Sequence, residues 1–86
     1  TEDEASMSAK AQKLMSEHAA SPYASLAALA LAKEAVDKND HELALKNLKW
    51  VVDHAPEGEF NLVARIRAAR IMLAKKNHTE AIKMLE

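Results

Sequence analysis

The chain has no cysteine, one glycine (Gly58), two prolines (Pro22 and Pro56) and three aromatic residues, Tyr23, Trp50 and Phe60. Without cysteine it can form neither a disulfide nor a thiolate metal site, and its redox compartment cannot be read. A single glycine rules out a glycine-rich phosphate loop. Scarce aromatic and β-branched residues beside abundant Ala and Leu favour packed helices over sheet. No sign of charge dominates: 12 Lys and Arg against 13 Asp and Glu leave a formal charge of -1. That balance builds no basic field for nucleic acid. No apolar run approaches the ~20 residues of a membrane span, and no signal peptide is visible. At 86 residues the chain is one domain or part of one. It opens on the acidic "TEDEAS" and stops at Glu86 inside a helical pattern. On that pattern it is expected to be an excised piece, with any membrane anchor lying outside it.

What is present is a repetition. "KNDHELALKNL" (Lys38 to Leu48) returns as "KKNHTEAIKML" (Lys75 to Leu85) at an offset of 37 residues. Lys38/Lys75, His41/His78, Ala44/Ala81, Lys46/Lys83 and Leu48/Leu85 are identical, and Leu45 matches Ile82. A fainter echo aligns "AKAQKLMSEHA" (Ala9 to Ala19) with "LKNLKWVVDHA" (Leu45 to Ala55).

Apolar spacing predicts five helices. The first spans about Asp3 to Ala19. The second spans about Pro22 to Asp37, with Ser21 as cap and Pro22 in its first turn. It has two apolar sides, Leu26, Leu29 and Val36 on one and Ala28, Leu31, Ala32 and Ala35 on the other, so it is expected between neighbours. Asn39 suits a left-handed helix stop, and Asp40 caps the third helix, about His41 to Ala55. Pro56 and Gly58 end it. The fourth spans about Phe60 to Lys75. In the fifth, "NHTE" predicts a capping box of Asn77 and Glu80. Short linkers make consecutive helices antiparallel. A helix pair of this kind cannot bury its own apolar faces, and stacking pairs buries a continuous core. The expected organisation is therefore residues 1–20 as the second helix of an incomplete unit, 22–56 as a repeat, and 60–86 as a repeat truncated at its C-terminal end. Ala44 and Ala81 are small where two helices cross. Ile82, Met84 and Leu85 are expected to be incompletely covered, and a homodimer through that end is expected.

The pattern resembles the tetratricopeptide repeat. With Ser25 as its first position, Leu31, Ala32, Ala44, Leu48, Val51 and Pro56 fall on that family's signature places; the next repeat starts at Leu62, with Ala69 and Ala81 on the small ones. The signature Trp is replaced by Ala28 and Arg65, the Tyr by Ala35 and Met72, and the "EGE" linker carries three extra residues. The resemblance implies an all-α, right-handed solenoid whose first helices line a concave groove. Leu26, Leu29, Lys33 and Val36 would face it from one repeat, and Val63, Ile66, Arg70 and Leu73 from the next. Two readings stand for that face: a groove for a peptide with apolar anchors and an acidic group, with Leu29 and Ile66 partly exposed at its floor, or a surface covered by further helices. Leu29 and Ala30 occupy the places where chaperone-binding relatives carry a carboxylate clamp, so that signal is not expected to be recognised.

A narrower resemblance, over Ser21 to Glu86, is to the periplasmic repeat domain of the ancillary subunit family of the bacterial SecYEG translocon. It rests on "PYASLAALALAKEAVDKND" and "NLVARIRAARIMLAKKNHTEAIKML". It implies a periplasmic domain held at the inner membrane by an anchor outside this chain, with translocon subunits, periplasmic chaperones or client peptides as partners. A generic cytoplasmic repeat scaffold is the alternative.

No catalytic, metal or cofactor site is expected. His41 and His78 share one turn position and His18 and His54 one helix-end position, each pair split between units and none spaced to share a metal. End-of-helix hydrogen bonding and packing account for them. "NHT" at Asn77 matches a glycosylation acceptor, a weak pattern. Leu43 and Trp50 share a helix face and form an alternative, convex surface. Packing of Trp50 against the first helix is the favoured reading there. The three arginines of "RIRAAR" are expected to pair with Glu57, Glu59 or Asp37.

Overall fold

The computed structural model describes the backbone of residues 2–86 and the side chains of 6–86. Five helices follow one another: α1 (Glu2–Glu17), α2 (Pro22–Asp37), α3 (His41–His54), α4 (Glu59–Ala74) and α5 (His78–Leu85). Each packs against its neighbours in the chain, and α2 also meets α4. Among the described residues α2–α4 is the only contact between non-consecutive helices. The first helices of the two hairpins therefore lie closer to each other than the second helices do, which makes their side the inner one of a curved stack. The result is a slab of 37 × 28 × 15 Å. Its radius of gyration is 12.7 Å, a little above the ~12 Å of a rounder domain of this length.

The turns explain the repetition. After α2, Asn39 takes φ 61, its N–H donates to Val36 O, and the Asp40 N–H donates to Ala35 O at 2.8 Å. Thirty-seven residues later, Lys76 takes φ 61, its N–H donates to Leu73 O, and the Asn77 N–H donates to Met72 O at 2.7 Å. Both are Schellman stops, which satisfy carbonyls at the helix end through one left-handed residue. Asn39 suits that backbone, whereas Lys76 adopts it at a steric cost. The two starts then differ. Asp40 Oδ1 accepts from the Leu43 N–H at 3.2 Å, as expected of an N-cap. Asn77 sits at the cap position of α5 without a side-chain capping bond. The capping box with Glu80 does not form, because the Asn77 N–H that Glu80 would engage is already committed to Met72 O. Ser21 caps α2 through the Tyr23 N–H. In the "EGE" linker, Gly58 has φ 153 and ψ -160, a backbone open essentially to glycine alone.

The core is made chiefly of alanine. Ala24, Ala28, Ala32 and Ala35 of α2, Ala44 of α3, Ala64, Ala68 and Ala69 of α4, and Ala81 of α5 are buried, together with Met15, Leu29, Leu48, Val51, Ala55 and Met72. Two buried asparagines supply polar ties. Asn47 Nδ2 donates to Leu43 O. Asn61 Nδ2 donates to Val52 O at 3.0 Å and to Ala55 O at 3.3 Å, so that α4 caps the frayed carbonyls of α3 across the linker.

Ala44 and Ala81 are fully covered, which turns their expected role into a measurable one. Ala44→Leu and Ala81→Leu each force extra volume into a helix crossing and cost roughly 1–3 kcal/mol. Ala30→Leu, on an exposed position, stays within about 0.5 kcal/mol. Urea denaturation of the three variants separates these outcomes, and equal stability of all three would remove the repeat register.

Candidate functional site

A cleft of about 350 Å³ lies on the inner side, between the C-terminal halves of α2 and α4. Ala32 and Leu48 form its floor, and Val36 and Ile71 its apolar walls. Lys33, Arg67 and Arg70 stand at its mouth, and no acidic residue lines it. The helices place these groups simply. Lys33 and Val36 are three residues apart on α2, while Arg67, Arg70 and Ile71 lie at i, i+3 and i+4 on α4, so each set shares a face. Lys33 and Arg70 occupy equivalent places in the two repeats, and the stacking of parallel first helices sets them beside one cavity.

The three cations at the mouth are not neutralised from within. Among the described residues the ion pair is Lys38 with Glu34 at 2.9 Å, on α2 itself. The expected pairing of Arg65, Arg67 and Arg70 with Glu57, Glu59 or Asp37 is not made. The acids stand at the linker and helix ends, and Arg65 points to a different side of α4 from Arg67 and Arg70. Arg65 turns toward α5, where its Nε is buried without a hydrogen-bond partner. Arg67 and Arg70 reach the cleft.

The expected groove residues separate into three groups. Lys33, Val36 and Arg70 meet at the cleft. Leu26, Ile66 and Leu73 are exposed outside its lining, and Val63 is half-buried against the core. Leu29 does not stand at the floor: it is buried in the same cluster as Ala64 and Ala68, because α4 stacks over it. Its repeat equivalent Ile66 stays exposed, since no described helix lies over the corresponding face of α4. Arg67 and Ile71 belong to the cleft and were missing from the expected set. Their equivalents in the first repeat are Ala30 and Glu34, so repetition gave no signal for them. Their i, i+3 and i, i+4 relation to Arg70 and Arg67 was the signal available.

The outer side is organised differently. Leu43 is exposed, and Trp50 is half-buried beside a smaller cleft that Gln12, Met15 and Ser16 of α1 also line. The Trp50 ring stacks on His54 of its own helix, with centroids 4.2 Å apart and planes within 16°. His54 Nδ1 lies 2.9 Å from Trp50 O. His54 thus serves helix-end bonding and packing together. Trp50 stacks on His54 and also packs against the core cluster that includes Met15 of α1. Among the described residues no group of three or more His, Asp or Glu could hold a metal ion.

The model of the tetratricopeptide repeat-like domain family matches residues 1–86. The chain belongs to that family. Comparison with curated proteins and with solved structures gave no match. As a tetratricopeptide-like domain, the chain has the architecture of a protein–protein interaction module, and such domains are generally non-catalytic scaffolds. The signature small positions of the tetratricopeptide repeat are its buried alanines: Ala32 and Ala69 face across the first helices, and Ala44 and Ala81 across the hairpins.

The separation of Leu29 from Ile66 is testable. Leu29→Asp places a carboxylate without a partner in the core and destabilises the domain by about 3 kcal/mol or more. Ile66→Asp, at its exposed equivalent, changes stability by about 0.5 kcal/mol at most. Thermal melts followed by circular dichroism distinguish the pair, and similar melting temperatures would contradict the placement of Leu29 in the core.

Proposed function

We propose that this tetratricopeptide-like domain is a non-enzymatic docking module that receives an acidic segment with apolar anchors in the cleft between α2 and α4. The observation that carries this reading is the combination at one cavity of an apolar floor with Lys33, Arg67 and Arg70, none of them in an ion pair among the described residues. Apolar anchors against Val36, Leu48 and Ile71 would supply the affinity, at about 1.5–3 kcal/mol for each large side chain buried, before the cost of association. The cations would orient the carboxylates and speed encounter. The likeness of Ser21 to Glu86 to the ancillary SecYEG subunit family supports a setting on the periplasmic side of the bacterial inner membrane, with translocon subunits, a periplasmic chaperone or a client peptide as partner. An anchor outside this sequence would tether the domain there. No described helix is long and apolar enough to cross a membrane.

Titration against a helical peptide carrying Leu and Glu at i, i+4, and against its Gln analogue, tests the cleft; titration against solubilised SecYEG tests the setting. Lys33→Glu with Arg70→Glu weakens binding of the Glu peptide about tenfold or more at ~20 mM salt and less near 0.15 M, where exposed charges are screened beyond about 8 Å. The Gln peptide shows little dependence on either residue. Equal binding of the Glu peptide by the folded double variant and the parent would place the binding surface elsewhere, with the α1–α3 cleft beside Trp50 the next to test.

A further inference from the structure

A second cleft lies where α2 and α4 begin, and its charge is the reverse of the first. It measures about 300 Å³. Pro22 and Ser25 of α2, Pro56 of the linker and Phe60 of α4 wall it, and Glu57 and Glu59 supply its charge. Among the described residues no basic side chain lines it. Both acids are exposed, and neither is in an ion pair among the described residues. They belong to the "EGE" insertion, the stretch in which the linker departs from the tetratricopeptide pattern.

The two clefts lie along one seam. Pro22, Ser25, Leu29, Ala32 and Val36 follow at intervals of 3, 4, 3 and 4 residues on α2, and Phe60, Ala64, Arg67 and Ile71 at 4, 3 and 4 on α4, the spacing of a single helix face. Pro22, Ser25 and Phe60 line the acidic cleft, and Ala32, Val36, Arg67 and Ile71 the basic one. Leu29 and Ala64, between them, are buried in one cluster and divide the two. Glu59 and Arg70 stand eleven residues apart on α4, about 16 Å along the axis at 1.5 Å per residue. Val36 lies three residues beyond Lys33, and Ile71 one beyond Arg70, toward the helix ends. From the helix ends back to the linker, the seam therefore presents apolar wall, cations and acids in that order.

A seam of this kind selects its occupant by direction. A helix that sets a carboxylate against the cations and a cation against the acids places its own acid N-terminal to its own base only when it runs antiparallel to α2 and α4. That order is the one its macrodipole favours. Resting on the docking reading above, we infer that the occupant is a helical segment of another protein, antiparallel to α2 and α4, carrying an apolar anchor, an acid one turn later and a base about eleven residues after the acid. The anchor meets Val36 and Ile71, the acid meets Lys33, Arg67 and Arg70, and the base meets Glu57 and Glu59.

Calorimetric titration with two synthetic helical peptides tests the inference. One carries Leu, Glu and Lys at i, i+4 and i+15; the other has Gln in place of the Lys. At ~20 mM salt, where screening is weak, the Lys peptide binds about threefold to fivefold more tightly than the Gln peptide. Glu57→Gln with Glu59→Gln removes that difference, leaves the affinity for the Gln peptide unchanged and leaves circular dichroism unchanged. Lys33→Glu with Arg70→Glu weakens both peptides, as the docking reading requires. Direction is read separately. The chain has no cysteine of its own, and Tyr23, in the first turn of α2, is 70% exposed. A nitroxide on Tyr23→Cys broadens the NMR signals of the last turn of the Lys peptide more than those of its first. Equal affinity for the two peptides, with both still weakened by Lys33→Glu and Arg70→Glu, overturns the inference and leaves the docking reading standing. Stronger broadening of the first turn overturns it equally. Indifference of both peptides to Lys33→Glu with Arg70→Glu removes the docking reading and this inference together.

Discussion

Close approach of helix backbones through alanine is the constraint on which the rest of this structure depends. Ten of the fifteen buried apolar residues described are alanine. An alanine releases little apolar surface when it is covered, so a hairpin built on Ala28, Ala32, Ala35 and Ala44 gains little by itself. What alanine allows is dense packing: the backbones draw together, and many weak dispersion contacts accumulate at once. That gain is realised only when a neighbouring hairpin closes the space, which is why Leu48, Val51 and Met72 are buried in one cluster spanning both repeats. The three extra linker residues and the unusual backbone of Gly58 serve the same end. They let α4 swing onto α3, where Asn61 binds the carbonyls of Val52 and Ala55.

The inner cleft follows from that stacking. Repeats related by a constant step bring equivalent residues of α2 and α4 side by side, so one cation per repeat becomes a pair, Lys33 and Arg70, and Arg67 adds a third. Small side chains at Ala32 keep the floor low, and Leu48 closes it from α3. The cavity and its charge thus arise from the same alanine-set spacing that stabilises the core. Its chemistry belongs to the surface and can vary without disturbing the fold.

Much of this was legible in the residues. Asn39 was read as a left-handed helix stop, though Lys76 at the equivalent turn was not, the helix starts at Pro22 and His41 came out as read, and Ala44 and Ala81 were recognisable as crossing points from their small size at equivalent places. The site was less legible, because sequence equivalence treats two repeats as alike when their surroundings differ. Leu29 and Ile66 occupy the same repeat position, yet one has a hairpin over it and the other has none. Arg67 and Ile71 escaped notice because the first repeat carries Ala30 and Glu34 there. The asparagine ties escaped for a different reason. The role of Asn61 is set by carbonyls of α3 that come within reach only after the linker has folded, and no local pattern marks such a partner. The arginine pairs expected of "RIRAAR" failed on direction: nearness in sequence to an acid does not aim a side chain across a helix.

Native-state hydrogen exchange of the backbone amides tests most directly whether stacking, and not the individual hairpin, stabilises this protein. If it does, protection is greatest in α3 and the facing parts of α2 and α4, where Ala44, Leu48, Val51 and Ala68 have neighbours on every side, and it falls toward α1 and α5, which pack on one neighbour each. Uniform protection from α1 to α5, or strongest protection in α5, would contradict the account.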